Sequence, residues 1–185
     1  MITVSQEDLK RAGKTMADVE RAMPKLYSAA LNRTIQGMRT EAGRKVRETY
    51  DVKLSDVRPT LSIKRASPGD LVAILDSRGP NTPLIRFKTT PRKPPKRQPK
   101  VLKASVKRSG GKPIPGAFVT QVGGHIGVLK RKGKARLPIE ELFGPPVPVM
   151  LREPGVKEHL EAEAERRMSQ RLQHELKRLL GGDGK

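Results

Sequence analysis

The residues best suited to binding chemistry lie in a stretch rich in proline and cations, Thr89–Lys100, which reads TTPRKPPKRQPK. Between Asn81 and Lys112 the sequence holds eleven Lys or Arg residues and no Asp or Glu. A run of one charge sign favours an anionic partner, because a loop that serves only solubility usually mixes signs. Prolines lack a backbone donor, so we expect an extended, mobile arm that contacts nucleic acid or an acidic protein surface.

The predicted contact set extends beyond this arm. Its members are Arg92, Lys93, Lys96, Arg97, Lys100, Lys103, Lys130, Arg131 and Lys132. With 39 Lys and Arg against 19 Asp and Glu, the chain carries a net charge of +20, which bears on partners and not on fold. Only Phe87 lies near the arm for stacking on bases. The sequence therefore indicates contact with phosphates and no recognition of base sequence. The alternative is that the arm is only a solvated loop that binds no partner.

Residue types used in catalysis and metal binding occur without the spacing that such sites need. His159 and His174 lie fifteen residues apart on one predicted helix, and HELKR at His174 has Arg178 where a zinc protease has its second histidine. The adjacent Glu140 and Glu141 would point away from each other on a helix. The sequence has no cysteine. We expect no enzymatic activity, no metal, no cofactor and no small-molecule substrate.

The sequence also bears on the compartment of the protein. No apolar run approaches the ~20 residues that a membrane span needs. The N-terminal sequence MITVSQEDLKRAG lacks the apolar core of a secretion signal. We therefore expect a soluble protein that is made inside the cell and does not enter a membrane.

Two amphipathic helices are predicted towards the ends of the chain. Apolar residues at steps of three or four predict a long helix from about Met23 to Tyr50, with Pro24 in its first turn. A second apolar stripe runs from Val156 to Leu179, with acidic residues in its first half and basic residues in its second, as the helix dipole favours. We expect this second stripe to be buried.

Short segments with a period of two predict strands between these helices. They are Leu61–Arg65, Leu71–Leu75, Leu84–Lys88, Val101–Lys107, Ala117–Val122 and His125–Arg131. A tight turn is expected at Ser67–Asp70, and Gly123 and Gly124 are expected to join the last two strands as a hairpin. Pro138 is expected to open a short helical turn that contains the adjacent acidic pair. Short turns between neighbouring strands favour an antiparallel sheet.

Two stretches and the closing helix make the sequence similar to a known family. The stretches are ALNRTIQGMRTEAGRKVRETYDVK (Ala30–Lys53) and GAFVTQVGGHIGVLKRKGKARLPIEELFGPPVPVML (Gly116–Leu151). With the closing helix they resemble the minor tail protein Z family of tailed bacteriophages, also called tail completion proteins, over residues 23–180. The basic arm is not part of the match, so its interpretation depends on charge alone.

The resemblance implies a non-enzymatic virion component at the head-proximal end of a long, non-contractile tail. There it would complete the tail for head–tail joining and for positioning of the genome end. It implies a homo-hexameric ring whose neighbours are the tail terminator and the head–tail connector, with the tape measure protein and the DNA end as further partners. The expected location is the neck region of the virion tail, after synthesis in the cytoplasm of the host bacterium.

The resemblance also implies the α+β fold class. We expect a twisted antiparallel sheet of about five or six strands, packed by the long N-terminal and C-terminal helices and carrying the extended basic arm. The predicted organisation is an N-terminal segment at 1–22, a single tail completion domain at 23–180 and a frayed tail at 181–185. Within the domain, the basic proline-rich arm is assigned to residues 89–115.

In a ring subunit the block LPIEELFGPPVPVML (Leu137–Leu151) is interpreted as an assembly surface. Its prolines fix the backbone, which lowers the conformational entropy lost on docking, and its apolar side chains supply anchors. The predicted interface residues are Leu137, Ile139, Leu142, Phe143, Pro145 and Val147. The alternative is a capped connector into the last helix.

Two other functions compete with the tail protein. A free, non-sequence-specific nucleic-acid-binding protein would have a similar composition, but it would stay monomeric and bind RNA or DNA alone. A nuclease ranks last, because it needs clustered metal-binding carboxylates and the sequence has none outside its predicted helices.

Overall fold

The computed structural model describes residues 6–97, 99 and 101–180, and a long helix lies at each end of this range. The helices are α1 (Gln6–Thr49), α2 (Leu54–Val57), α3 (Val147–Arg152) and α4 (Pro154–Leu180). The strands of this part of the chain are β1 (Leu61–Lys64), β2 (Ile74–Ser77), β3 (Thr82–Pro83), β4 (Lys88–Thr90), β5 (Leu102–Ser105), β6 (Lys112–Ile114), β7 (Ala117–Val122), β8 (His125–Arg131), β9 (Ile139–Glu141) and β10 (Phe143–Gly144). Two 3₁₀ turns are also present, at Arg58–Thr60 and Leu84–Arg86.

The α+β class is confirmed, with a long helix towards each end of the chain. In detail, the strands of the described residues form four small sheets and not a single one: β1–β2, β3–β10, β4–β5–β6 and β7–β8–β9. The pairings within the last three are antiparallel. Prolines occupy β3 and β6 and follow β4. Because proline has no backbone N–H to donate to a neighbouring strand, these sheets stay narrow.

The chain divides into two compact units. Unit 1 comprises Met1–Met38, Ile63–Leu75 and Glu161–Lys185, and unit 2 comprises Arg39–Ser62 and Asp76–Leu160. The prediction of a single domain at 23–180 stays a prediction. The predicted frayed tail at 181–185 lies outside the described residues, as do residues 1–5 of the predicted N-terminal segment.

The start of the first helix was predicted wrongly. We expected it near Met23 with Pro24 in the first turn, whereas α1 is already helical at Gln6 and contains Pro24 in its interior. A proline inside a helix removes one hydrogen bond. The residues before it are mostly good helix formers such as Glu, Leu, Lys, Arg, Ala and Met, so the helix continues through that position.

In unit 1 the turn at Ser67–Asp70 is confirmed. The backbone N–H of Ser67 donates to the carbonyl of Asp70 at 2.9 Å, and the N–H of Asp70 donates back at 3.1 Å. The side-chain amide of Asn32 on α1 both donates to the carbonyl of Ala66 and accepts from its N–H, each at 2.9 Å. One side chain therefore satisfies both backbone groups of Ala66 and fixes the approach to this turn.

Helices α1 and α4 meet in unit 1 at a glycine. A Cβ added at Gly37 would lie 2.5 Å from Nη1 of Arg167, so the guanidinium group lies directly against the backbone of α1. Arg167 and Arg166 both donate to Oε1 of Glu163, each at 2.6 Å. These two guanidinium groups, Arg166 first, lower the pKa of Glu163 from 4.5 to about 2. The shared carboxylate thus orients Arg167 across Gly37.

The apolar stripe of α4 is covered less completely than we expected. Val156 is fully buried, whereas Leu160, Met168, Leu172 and Leu176 are half-buried. In unit 1, Met168 lies within reach of the hydroxyl of a threonine on α1, with its sulfur 3.8 Å from that oxygen. The helical period was therefore correctly predicted, but burial of the whole stripe was not.

The core of unit 2 is mostly aliphatic and also contains the buried rings of Tyr50 and Phe87. Its largest fully buried side chains are Val46, Val57, Phe87, Leu102, Val119, Val128, Met150 and Val156. The hairpin of β7 and β8 supplies two of these valines, and its predicted turn is confirmed, with Gly123 and Gly124 at φ 56° and 83°. Two consecutive positive φ values suit glycine, which has no Cβ to clash with the backbone.

Two segments of unit 2 were assigned to the wrong element. Leu84–Arg86 is a 3₁₀ turn and not part of a strand; it places Leu84 and Phe87, three residues apart, on the same buried side. Glu140 and Glu141 belong to strand β9 and not to a helical turn. There Lys132 forms an ion pair with Glu140 at 3.4 Å, so pairing with β8 gives this carboxylate a cation.

The ion pairs of Glu163 predict an acid-sensitive contribution to stability. Because the pKa is lower in the folded chain than its ordinary 4.5, the pairs stabilise the fold above pH 4.5, and this contribution is lost as the pH falls towards 2. We expect the melting temperature of Glu163→Gln to fall less across this window than that of the wild type. Glu158→Gln, on the same helix and exposed, is the control. Equal falls for all three proteins would contradict the assignment.

Candidate functional site

Part of the range predicted as the basic arm, 89–115, lies in a sheet. Strand β4 pairs with β5, and β5 pairs with β6, so the cations on these strands have fixed positions. The connection from β4 to β5 has no helix or strand among its described residues. Of the predicted contact residues, Arg92, Lys93, Lys96 and Arg97 are exposed in this connection, Lys103 is exposed on β5, and Lys100 lies outside the described residues.

Lys103 lines a cleft of about 400 Å³ in unit 2, which we call the sheet cleft. Its lining residues are Asp51, Lys88, Thr90, Lys103, Ala104, Ser105, Arg108, Gly110 and Gly111. Asp51 accepts a hydrogen bond from Oγ of Ser105 at 2.6 Å and lies 3.9 Å from Nε of Arg108. Lys88 and Lys103 form no ion pair with any described residue. The cleft therefore has three cations and a single carboxylate that is already engaged.

The register of β4 and β5 explains this arrangement. Lys88 pairs with Ser105, and Thr90 pairs with Lys103, so these four side chains project from one face of the sheet. The alternate residues, which include Thr89, are buried on the opposite face. Alternation along two paired strands thus separates a cationic face from a face that joins the core.

The first residues of the arm line a second cleft of unit 2, of about 380 Å³, which we call the arm cleft. Its lining residues are Lys53, Ser55, Asp56, Ile85, Arg86, Arg92, Lys93 and Ile126. Asp56 accepts from Nη1 of Arg86 at 2.9 Å. Lys53, Arg92 and Lys93 form no ion pair with any described residue. The arm therefore begins against the folded body, and four cations surround one paired carboxylate.

The remaining predicted contact residues lie at the end of β8, where two of them have partners in their own sheet. The guanidinium group of Arg131 lies 5.0 Å from the ring centre of Phe118, at cation–π distance. Lys132 forms its ion pair with Glu140. Lys130 is exposed. Arg131 and Lys132 are thus stacked or ion-paired within the sheet, unlike the lysines of the two clefts.

The histidines of the described residues each contact a different carboxylate. Nε2 of His125 lies 2.9 Å from Glu141, and Nε2 of His159 lies 2.7 Å from Glu41. The side-chain hydrogen bond from Arg44, rather than the histidine, is the main cause that lowers the pKa of Glu41. No group of three or more His, Asp or Glu side chains in the described residues could hold a metal ion.

Backbone hydrogen bonds hold the segment Leu137–Leu151, which we call the proline block, on both sides. Lys132 donates to the carbonyl of Pro138 at 3.2 Å, and the N–H of Leu142 donates to Val128 at 2.8 Å. The carbonyl of Leu142 accepts from Leu84 at 2.9 Å. Strand β10 then pairs with β3, and α3 begins directly after Pro146. The backbone of the block is therefore fixed at several successive positions.

The predicted interface residues differ in exposure. Leu137 is 66% and Phe143 50% exposed. Ile139, Leu142 and Pro145 are half-buried. Val147 is 2% exposed, so its side chain belongs to the core of unit 2 and not to an outer surface. Val149, which the predicted set leaves out, is 49% exposed. The block therefore presents large apolar side chains on a fixed backbone.

Residues 7–181 match the family model of Prophage minor tail protein Z (GPZ). The chain belongs to this family. No curated protein and no solved structure matches it. The resemblance seen in the sequence is thereby confirmed over nearly the whole chain, and this member is a phage minor tail protein. In its described residues, no helix is both long and apolar enough to cross a membrane.

Sequence reasoning missed several cations of this minor tail protein. Lys88 and Arg108 fall within the acid-free stretch from Asn81 to Lys112, so the charge pattern contained a signal for both. Lys53 lies far from that stretch in the sequence and reaches the arm cleft only through the fold. Nothing in a linear pattern brings it to the arm.

The glycine of the proline block is required by a buried ring. A Cβ added at Gly144 would lie 2.5 Å from Cε2 of Phe87, which is fully buried. We expect Gly144→Ala to lower the free energy of unfolding by about 1–3 kcal/mol through overpacking, measured by denaturant unfolding. Gly133→Ala is the control, because nothing lies within 4 Å of its added Cβ. Equal stability of the two variants would contradict this contact.

Proposed function

We propose that this minor tail protein completes the head-proximal end of the tail of a long-tailed phage. In that role it enables head–tail joining and positions the end of the genome. The observation that carries the proposal is the family match over residues 7–181. The fixed proline block and the two cationic clefts support it, because a joining protein needs one surface for protein neighbours and another for DNA.

The proposed assembly is a homo-hexameric ring in the neck of the virion. The tail terminator and the head–tail connector are its proposed neighbours, with the tape measure protein and the DNA end as further partners. Leu137, Phe143 and Val149 are the proposed anchors between subunits, because they are exposed apolar side chains on a backbone that is already ordered. Ordering before contact reduces the entropy cost of association. The proposed role is structural and requires no catalysis.

A second candidate is a free, non-sequence-specific nucleic-acid-binding protein. The net charge of +20 and the unpaired cations of the two clefts favour it. The two functions differ in assembly, since a free binder would stay monomeric and a tail completion protein would be built into particles.

Location tests the proposed function directly. We expect mass spectrometry of purified virions to detect this chain, and we expect a phage that lacks its gene to accumulate filled heads and unjoined tails. Complementation with the wild-type gene is the control and should restore infectious particles. Absence of the chain from virions, or normal joining without it, would overturn the proposal.

The proposed ring edge predicts the effect of one aromatic truncation. Phe143→Ala removes an exposed anchor, so we expect an unchanged melting temperature together with weaker self-association and fewer joined particles. Val122→Ala, at the tip of the β7–β8 hairpin and 54% exposed, is the matched control outside the block. Normal self-association and joining with Phe143→Ala would make the block a connector only.

A further inference from the structure

The sheet cleft and the arm cleft follow each other along one short segment of unit 2. Thr90 lines the first cleft, and Arg92, two residues later, lines the second. Two peptide steps span at most about 7–8 Å, since consecutive Cα atoms lie no more than about 3.8 Å apart. Both sets of cations therefore border the same short stretch of backbone.

We propose that the two clefts form one binding site for the sugar–phosphate backbone of double-stranded DNA. We call this site the phosphate track, and its cations are Lys53, Lys88, Arg92, Lys93, Lys103 and Arg108. This inference rests on the proposed function, because a tail completion protein would meet DNA as the polyanion inside the particle. The cations and the lack of aromatic side chains among the described lining residues support the site itself.

Most of the charge of the track has no internal counterpart. Asp56 is engaged by Arg86, and Asp51 lies 3.9 Å from Arg108, so Asp51 can offset only one of the six cations. Clefts lined by one sign of charge concentrate the field and raise the local concentration of an oppositely charged ligand. A chain of regularly spaced phosphates fits this arrangement better than a single anion.

The composition of the sheet cleft favours nucleic acid over an acidic protein. Interfaces between proteins are depleted of charge at their centre, whereas interfaces with DNA are strongly positive and polar. Around the cations the sheet cleft offers Thr90, Ser105 and the backbone at Gly110 and Gly111, and Ala104 is the only apolar residue among its described lining residues. Short polar groups of this kind commonly contact phosphate and sugar.

The absence of aromatic rings favours a duplex. None of the described residues lining either cleft is Phe, Tyr or Trp. Binding of single strands usually depends on stacking of exposed bases on aromatic side chains. The track can therefore hold phosphates but has no platform for unpaired bases, so binding should not depend on base sequence.

The track is tested by the salt dependence of duplex binding. The experiment uses the purified full-length chain and a short duplex of mixed sequence. If four of the six track cations contact phosphates, their joint replacement by serine (Lys88, Arg92, Lys93 and Lys103) should lower the slope of log K against log salt by about 3–4, at roughly 0.9 per contact. The variant Lys88→Arg with Lys103→Arg keeps the charge and should retain the wild-type slope.

A matched control removes the same number of charges elsewhere. Lys134, Arg136, Arg171 and Lys177 are exposed and line neither cleft. Their joint replacement by serine should leave the slope within about one unit of the wild type, because these cations contact no phosphate in the proposed site. Circular dichroism and melting temperatures of all variants confirm that the chains are folded.

The following outcomes would contradict the proposed phosphate track. Equal losses in the two fourfold variants would indicate a diffuse field of the whole chain. An unchanged slope in the track variant would exclude contact with DNA, and tighter binding to polyglutamate than to the duplex would assign the clefts to an acidic protein. Failure of the proposed function is measured separately, because a chain absent from virions could still bind duplex DNA through these residues.

Discussion

The contact between the ring of Phe87 and the backbone of Gly144 fixes the arrangement of unit 2. The ring is fully buried and leaves no room for a side chain at position 144. Phe87 directly precedes β4, which carries Lys88, and Gly144 ends β10 in the proline block. One aromatic contact therefore holds the start of the cationic strand against the apolar block. In a chain with 3% aromatic residues, no other ring of unit 2 is as deeply buried.

Unit 2 presents two different surfaces, the exposed apolar residues of the proline block and the cations of the two clefts. Its carboxylates are mostly used inside the fold. Glu153, for example, accepts hydrogen bonds from Lys107 and from Tyr50. Burial of Tyr50 is the main cause that raises its pKa to about 12, and the charge of Glu153 is the second cause. Cations without such partners remain on the outside, where only an external anion can neutralise them. Exposed apolar side chains and unpaired cations thus occupy separate parts of one unit, as the proposed protein and DNA partners require.

The sequence predicted the regular elements well where a local pattern of residues was clear. The prediction failed where the conformation of a segment depended on groups far away in the sequence. The C-terminal helix and the β7–β8 hairpin were correct, because helical periodicity and a Gly-Gly turn are local signals. Leu84–Arg86 was predicted as part of a strand, although the buried residues Leu84 and Phe87 are three positions apart, as a 3₁₀ turn requires. Glu140 and Glu141 were assigned to a helical turn, because the pattern did not reveal that β8 would offer them a partner strand.

The family and the excess of positive charge were determined by the sequence alone, since motifs and composition do not depend on how the chain is folded. The predicted cations at 92, 93 and 103 line the clefts, but the roles of Lys53 and Val147 were decided only by the tertiary structure. Lys53 joins the arm cleft from a distant part of the chain, and Val147 enters the core although its neighbours Phe143 and Val149 face outward. The physical reason is that burial and charge compensation depend on contacts between residues far apart in sequence, whereas helical periods, turns and net charge are properties of the chain itself.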